Sequence, residues 1–269
     1  NLSITVGAVS NGGDSASGGG ASSTAPTPEY KAEVDVGNGS NTTLPIIVDK
    51  NSGRANVDVG TVKGLMSGGK TAVVTVPSVP GVDTYSLGVP VPALATDDGQ
   101  SKISFKTSSG IVTVPSNMLA DIEGISGSKA QISIGQGNKD TLDEDVKTVI
   151  GDRPLVQLTI FVDGKQLDWS NSNAPVTVSI PYTPTADELK NSESIVIWYI
   201  DGGGNVASVP NGRWDPAAGA VTFFITHFSN YAVAYNRVSF KDVTSNAWYN
   251  KAVSFLAARG ITSGTGGNN

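Results

Sequence analysis

The chain has 269 residues, no cysteine, a single histidine and a formal net charge of −6 at neutral pH. The lack of cysteine excludes disulfides, thiolate metal sites and a cysteine nucleophile, and one histidine excludes a multi-histidine metal centre. The acidic balance argues against binding nucleic acid, and no stretch reaches the roughly 18 apolar residues of a membrane-spanning helix. We therefore expect no metal, no cofactor, no nucleic-acid partner and no membrane insertion.

Two N-terminal segments precede the main pattern. Residues 1–9 read NLSITVGAV, which is typical of a strand, and we interpret them as the end of a preceding domain. Residues 10–29 are rich in Gly, Ser and Pro, and their composition is too polar to bury a core. This second segment is therefore predicted to be a linker.

Residues 30–236 contain many short apolar or alternating runs separated by Gly, Asp, Asn and Pro, such as TAVVTVP, LVQLTIFV and PVTVSIPY. Regular spacing of strands and turns predicts a mainly β fold, a β-sandwich of two packed sheets with short helical turns. The Asp163-Gly164 pair predicts a type I′ hairpin, and residues 201–204 predict a longer one. Short helices are predicted in DTLDEDVKTVIG and in PTADELKN, the second with a capping box of Thr185 and Glu188.

Other patterns within this region are weaker. The spaced polar residues of DKNSGRA and ATDDGQ resemble calcium loops, but both lack the terminal Glu of an EF-hand, and hairpin turns explain them more simply. The side chains of Trp169, Trp198 and Trp214 could stack on sugars, although Trp198 has the pattern of a strand-core residue. A carbohydrate-binding module of a secreted polysaccharide-degrading enzyme is therefore one alternative function.

The only histidine lies in the stretch ITHFSNYAVAY, two residues before Ser229. An activated hydroxyl nucleophile needs a base within hydrogen-bond reach, roughly 2.6–3.2 Å. On a straight strand, His227 and Ser229 would share a face but lie about 7 Å apart at Cα, so they can converge only if the chain kinks between them. A satisfied polar strand residue is the simpler interpretation of His227.

The end of this region, from IVIWYIDGGGNVASVPNG to ITHFSNYAVAY, resembles the closing strands of the GAIN domain of adhesion receptors. The resemblance rests on a Trp-containing strand, a turn and a closing hairpin with a His-Phe-Ser tripeptide. It implies self-cleavage as an alternative function. His227 would take the proton of Ser229, whose oxygen attacks the Phe228 carbonyl and breaks the Phe228-Ser229 bond.

The pattern changes at residues 237–269. Apolar residues at three- and four-residue spacing predict a helix over residues 247–259, with Gly260 as its stop. Its predicted apolar face contains Trp248, Ala252, Val253, Leu256 and Ala257.

The spaced positions Phe240, Asp242, Trp248-Tyr249, Gly260-Ile261 and Gly264-x-Gly266 resemble the first half of an S-layer homology repeat, so residues 237–269 are predicted to be an incomplete repeat. The resemblance implies a short C-terminal α-helical fragment that anchors the protein to the cell wall. Asp242 would lie at a helix start, and Trp248, Gly264 and Gly266 would form part of a glycan groove. In the alternative interpretation, Trp248 is a core residue of the helix.

The predicted function is that of a non-catalytic cell-surface module linking an extracellular effector region to the cell wall. The expected partner is secondary cell-wall polysaccharide or a peptidoglycan-linked glycan, with other S-layer subunits as a further possibility. The expected location is extracellular, in the cell wall or S-layer of a Gram-positive bacterium.

Overall fold

The computed structural model describes residues 30–39, 41–123 and 125–265. The predicted strand at 1–9, the predicted linker at 10–29 and Gly266 lie outside the described residues. Within the described ranges the chain forms two packed β-sheets, a few short helices and a C-terminal helix. The prediction of a mainly β sandwich is confirmed.

The strands in chain order are β1 (Lys31–Asp35), β2 (Asn41–Pro45), β3 (Ile47–Asp49), β4 (Arg54–Asp58), β5 (Thr71–Thr75), β6 (Thr84–Pro90), β7 (Lys102–Thr107), β8 (Gly110–Pro115), β9 (Lys129–Gln136), β10 (Leu155–Val162), β11 (Lys165–Leu167), β12 (Val176–Pro181), β13 (Ile195–Ile200), β14 (Val206–Val209), β15 (Arg213–Asp215), β16 (Ala220–Ile225) and β17 (Asn230–Tyr235). One sheet has the order β15-β16-β12-β8-β7-β5-β1-β2. The other has the order β14-β13-β17-β10-β9-β6-β4-β3, with β11 paired to β10.

Most neighbouring strands are antiparallel, but β4 pairs with β6 and β5 pairs with β7 in parallel. These four strands alternate between the two sheets along the chain, so each parallel pair is joined by a crossover through the opposite sheet. Parallel neighbours require such a connection because a tight hairpin can only join antiparallel strands.

The strands alternate between buried and partly exposed residues. In β12, Val176, Val178 and Ile180 are buried, whereas Thr177 and Ser179 are partly exposed. Successive side chains of a strand point to opposite faces, so the valines and isoleucine enter the space between the sheets. The largest buried side chains in this core are Trp169, Tyr85, Tyr231, Phe105 and Phe223.

Both predicted hairpins are confirmed. Asp163 and Gly164 have φ angles of 44° and 82° between β10 and β11, as a type I′ turn requires. The loop between β13 and β14 is organised by Asp201, whose Oδ1 accepts the backbone N–H groups of Gly203 and Asn205 at 2.8 Å. The turn residues therefore determine the register of these strand pairs.

Both predicted short helices are also present, as α1 (Glu144–Ile150) and α2 (Ala186–Lys190). The capping box at α2 is confirmed, since Thr185 Oγ1 accepts the Glu188 N–H and Glu188 Oε2 accepts the Thr185 N–H. Glu188 is only 3% exposed, and it also accepts hydrogen bonds from Arg153 Nη2 at 2.5 Å and Tyr182 Oη at 2.6 Å. One carboxylate therefore joins α2 to the sandwich.

The two ionisable neighbours shift each other's pKa. Burial alone would raise the pKa of Glu188, but the hydrogen bonds from Tyr182, Thr185 and Arg153 together outweigh it and hold that pKa below its ordinary value. Burial and the adjacent Glu188 carboxylate raise the pKa of Tyr182 to about 12. The carboxylate is therefore stabilised in its charged form.

The C-terminal helix is α3 (Asn250–Ala258), so the prediction of a helix over residues 247–259 begins too early. The preceding residues form turns instead, in which the Ala247 N–H donates to Thr244 O and the Asn250 N–H to Ala247 O. The Asn250 side chain also donates to Thr244 O. Short polar side chains that bond to nearby backbone compete with helical hydrogen bonding, which delays the helix start.

The predicted apolar face of this helix is wrong in part. Ala257 is buried and Val253 is half-buried, but Trp248, Ala252 and Leu256 are exposed. The adjacent Ala258 is buried instead and packs against Val196 and Ala234 of the sandwich. The helix approaches the sandwich mainly through its small C-terminal residues, and Leu256 is left in solvent.

Candidate functional site

Arg259, the residue after α3, attaches the C-terminal segment to the sandwich. Its side chain is 4% exposed and donates to four carbonyl oxygens. The distances are 3.2 and 2.5 Å to Gly212, 2.8 Å to Glu193, 3.0 Å to Phe255 and 3.1 Å to Ile195. Within the described part of the chain, no carboxylate forms an ion pair with it. Burial lowers the pKa of Arg259 to about 10, which still leaves it positively charged at neutral pH.

A second polar contact supports this attachment. Asn236, which follows β17, donates from Nδ2 to Ala258 O at 2.7 Å, and its own N–H donates to Ser194 O at 2.9 Å. Hydrogen bonds to carbonyls of the sandwich, from Arg259, and to a carbonyl of α3, from Asn236, therefore hold the end of the helix against the sandwich. Sequence reasoning placed Arg259 at the helix end but did not identify this role.

The opposite side of the C-terminal segment exposes aromatic and aliphatic surface. Trp248 is 92% exposed, with its ring edge-on to Tyr249 at a centroid distance of 5.5 Å. Leu256 and Ile261 are also exposed. The interpretation of Trp248 as a helix-core residue is therefore wrong.

The other residues implied by the S-layer homology resemblance lie in turns. Asp242 is exposed near the turn closed by the Val243 N–H and Phe240 O, so its implied position at a helix start is wrong, because α3 begins at Asn250. Gly264 is exposed with a φ angle of +71°, a conformation that favours glycine. Asp242, Trp248 and Gly264 all face solvent, and their role in binding glycan stays a prediction.

The His227 stretch lies between β16 and β17, where the chain passes from one sheet to the other. His227 makes an isolated bridge with Ser170, and its ring lies edge-on to Tyr199 at 4.6 Å. Its Nε2 atom is buried and has no hydrogen-bond partner among the described residues. Its carbonyl oxygen accepts a 2.8 Å hydrogen bond from Tyr231 Oη.

Ser229 is held separately from this imidazole. Its Oγ donates to Ile200 O at 3.0 Å, and its carbonyl accepts the Leu158 N–H at 2.9 Å. No hydrogen bond joins His227 to Ser229 in the described structure. Phe228 between them packs on Trp169 with a centroid distance of 4.8 Å. Cleavage after Phe228 stays a prediction.

The remaining candidate residues have structural roles. Trp169 is buried and donates from Nε1 to Met118 O at 2.8 Å, so it cannot stack on a sugar. Trp198 and Trp214 are half-buried. The Asp49 carboxylate accepts hydrogen bonds from the Ser52 side chain and the Asn51 N–H, which lower its pKa and close a hairpin turn. Within the described ranges, no group of three or more His, Cys, Asp or Glu side chains could hold a metal ion.

The structure thus defines a β-sandwich that carries a docked C-terminal helix with an exposed aromatic surface. Residues 239–269 match the S-layer homology domain. This domain is a non-catalytic module that binds cell-wall glycans, so the match supports cell-wall anchoring and a cell-surface or S-layer location. No curated protein matches the chain. None of the helices in the described ranges is long and apolar enough to cross a membrane. The GAIN-like resemblance of the sandwich stays a prediction.

Proposed function

We propose that this chain is a non-catalytic cell-surface module that links an extracellular effector region to the wall of a Gram-positive bacterium. Its C-terminal segment binds secondary cell-wall polysaccharide, and its sandwich is the spacer that presents this segment. The observation that carries the proposal is the exposed pair Trp248 and Tyr249 within the part of the chain that matches the S-layer homology domain.

The exposed aromatic pair has the chemistry of a sugar contact. An indole face offers a flat apolar surface to the C–H face of a pyranose, while nearby polar groups can bond to its hydroxyls. Little of the Trp248 surface packs against the rest of the chain, so this surface is available to a ligand. Asp242 and Gly264 flank the same helix in exposed turns.

The attachment through Arg259 supports the linking role. A wall anchor must transmit force to the rest of the chain, and the Arg259 contacts tie α3 to the strand β13 through Ile195. They also tie it to Gly212, directly before β15. The anchor segment is therefore docked on both sheets of the sandwich.

Co-sedimentation with purified Gram-positive cell walls tests this proposal. The full 269-residue chain is incubated with walls that retain their secondary polysaccharide and with walls from which it has been extracted. We expect retention on the first and about tenfold weaker retention on the second. Trp248→Ala should lose retention to a similar extent, because it removes the aromatic contact while leaving the fold intact.

Ile47→Ala is the matched control, because Ile47 is 67% exposed on β3 and lies outside the C-terminal segment. This variant should bind like the unmodified chain. Equal retention of unmodified chain and Trp248→Ala, or equal retention on both wall preparations, would contradict the proposal.

Self-cleavage is the second candidate function, favoured by the buried and unpartnered Nε2 of His227 beside the Phe228-Ser229 bond. In this reaction the Ser229 hydroxyl gives its proton to His227 and attacks the Phe228 carbonyl carbon. The amide nitrogen leaves as a protonated amine, and water then hydrolyses the ester. The hydroxyl must first leave Ile200 O and turn towards the imidazole.

Denaturing gel electrophoresis and intact-mass measurement of freshly purified protein decide between these functions. Self-cleavage gives two fragments divided after Phe228, and both His227→Ala and Ser229→Ala abolish them. A single intact mass that is unchanged over days leaves anchoring as the function.

A further inference from the structure

A small cavity lies where the C-terminal segment meets the sandwich. Its volume is about 110 Å³, which is room for about three or four water molecules. It is lined by Asn191 and Ser194 of the sandwich, by residues of the segment 237–245 and by the first turns of α3. We call it the junction cavity. The exposed aromatic pair of the anchor segment does not line it.

Ser194 contributes a buried hydroxyl to the junction cavity. The residue is only 1% exposed, and its Oγ atom has no hydrogen-bond partner among the described residues. Its backbone groups are satisfied, because its N–H donates to Asn191 O and its carbonyl accepts the Asn236 N–H, both at 2.9 Å. A buried hydroxyl without a partner is unfavourable, since it has given up its bonds to water. This hydroxyl therefore points to a polar ligand in the cavity.

Other polar side chains surround the same space. The hydroxyls of Ser239, Ser245 and Ser254 line it together with the Asn191 amide, and none of them bonds to another residue in the part of the chain that the structure describes. Each of these groups can donate a hydrogen bond. They come from the sandwich, from the connecting segment and from α3. Donors on several sides suit a tetrahedral oxyanion better than a planar carboxylate, whose lone pairs lie in one plane.

The charge at the junction cavity is positive. Arg237 is its only charged lining residue, and the guanidinium forms no ion pair or hydrogen bond within residues 30–39, 41–123 and 125–265. Glu193 and Asp242 are neighbours of lining residues along the chain, but neither lines the cavity. An anion there would therefore meet a cation and no carboxylate.

The beginning of α3 adds to this positive field. The helix has nine residues, no side chain caps its N-terminus, and its first residue, Asn250, lines the cavity. A helix N-terminus carries a partial positive charge and N–H groups without helical partners, so it favours anions. Residues 237–269 also contain four Lys or Arg and one acidic residue, although the chain has a net charge of −6. This region is therefore the positive part of an acidic protein.

We propose that the junction cavity binds a phosphate group, with Arg237 supplying the charge and Ser194 a buried donor. Phosphate carries a charge of about −1.5 to −2 at neutral pH and presents acceptor oxygens in several directions. Inorganic phosphate and the phosphate monoester of a larger molecule present the same chemistry. The site goes beyond the proposed wall anchoring and does not rest on it, because Trp248 lies outside the cavity.

A ¹⁵N spectrum of the full chain, recorded at pH 7 and constant ionic strength during addition of sodium phosphate, tests the site. We expect saturable shifts at Ser194, Arg237 and the first turn of α3, with a Kd between about 0.1 and 5 mM. Glycerol 1-phosphate should cause the same shifts if the site takes monoesters, whereas shifts with inorganic phosphate alone assign it to the free ion. Acetate should bind at least about tenfold more weakly. Equal binding of acetate would overturn the assignment of phosphate.

Two variants test the residues that carry the proposal. Arg237→Met and Ser194→Ala should each raise the Kd for phosphate about tenfold. Ser194→Ala should not lower the urea midpoint, because the hydroxyl it removes has no partner in the described fold. A lower midpoint would show that this hydroxyl is structural and would contradict the proposal.

Two controls separate this site from general charge and from the anchor. Arg54→Met removes an exposed arginine of β4, and Trp248→Ala removes the anchor aromatic; both should bind phosphate within about twofold of the unmodified chain. No saturable shift up to about 50 mM phosphate, or a Kd that Arg237→Met and Ser194→Ala both leave unchanged, would overturn the proposal. Neither result would change the expected loss of wall retention in Trp248→Ala.

Discussion

The sandwich and the C-terminal segment use aromatic residues in opposite ways. In the sandwich, Trp169 is buried, packs on Phe228 and satisfies its indole N–H with Met118 O. In the C-terminal segment, Trp248 contacts little besides Tyr249 and faces solvent. The same residue type stabilises the fold in one region and is left available for binding in the other. Burial therefore distinguishes the structural tryptophans of this chain from the binding candidates.

The two regions also differ in how they bury charge. Glu188 is buried in the sandwich with Arg153 as its counter-charge. Arg259, in the C-terminal segment, is buried against carbonyl dipoles and the Phe255 ring, without an ion pair in the described structure. A buried charge without its partners is costly, so both groups are expected to matter for stability. Glu188 connects elements within the sandwich, whereas Arg259 connects the sandwich to the anchor segment.

The largest difference between the regions should appear when their tryptophans are truncated. Trp169→Ala should lower the free energy of unfolding by about 4 kcal/mol, because it leaves a large cavity and removes the indole hydrogen bond to Met118 O. Trp248→Ala should change it by less than about 0.5 kcal/mol. Urea denaturation followed by far-ultraviolet circular dichroism measures both. Comparable losses in the two variants would show that Trp248 also has a structural role.

Glu188→Gln should cost about 3 kcal/mol at neutral pH, because Arg153 and the α2 cap lose their charged partner. The folded-state pKa of Glu188 is lowered, so this stabilisation is complete above its unfolded pKa of about 4.3 and is lost as pH falls through the lower folded value. The stability gap between the two proteins should therefore close on acidification. Glu144→Gln is the control, because its ion pair with Lys147 is exposed. A gap that stays constant down to pH 3 would contradict this account.

Arg259→Met should separate the two regions without unfolding the sandwich. The free energy that docks α3 on the sandwich should fall by about 2 kcal/mol. The loss should not extend to the sandwich, since undocking lets the freed carbonyls reach water. Amide hydrogen exchange should accelerate across α3 while the protection of β10 and β17 is retained. Arg54→Met, at an exposed arginine of β4, should change neither the exchange of α3 nor the protection of β10 and β17. Uniform acceleration across the chain would mean that the sandwich depends on the segment.

Ser229→Ala should cost less than the changes at Trp169, Glu188 and Arg259, about 1 kcal/mol from its hydrogen bond to Ile200 O. Thermal unfolding of the purified variant measures this loss. A large destabilisation would show that the β16–β17 corner is more important to the sandwich than its single side-chain hydrogen bond implies.

Local patterns predicted the sandwich well. Three features depend only on residues that are close together along the chain, so they can be predicted directly from the sequence. They are the alternation in strands such as β12, the Asp163-Gly164 turn and the Thr185–Glu188 cap. The contacts of Arg259 with the sandwich could not be predicted, because these partners are backbone carbonyls far away in sequence, and any residue type supplies a carbonyl. Helical spacing placed Trp248 on a predicted apolar face, whereas the S-layer homology resemblance placed it in a glycan groove. Spacing alone could not decide between them, because it does not indicate what would cover that face.

The most direct test of the account uses the four tryptophans as reporters. Indole N–H signals in a ¹⁵N spectrum of the full chain are followed while purified secondary cell-wall polysaccharide is added. We expect the Trp248 signal to shift and saturate while the buried Trp169 signal stays in place. A Trp248 signal that is unaffected by saturating polysaccharide would contradict the assignment of wall binding to the C-terminal segment.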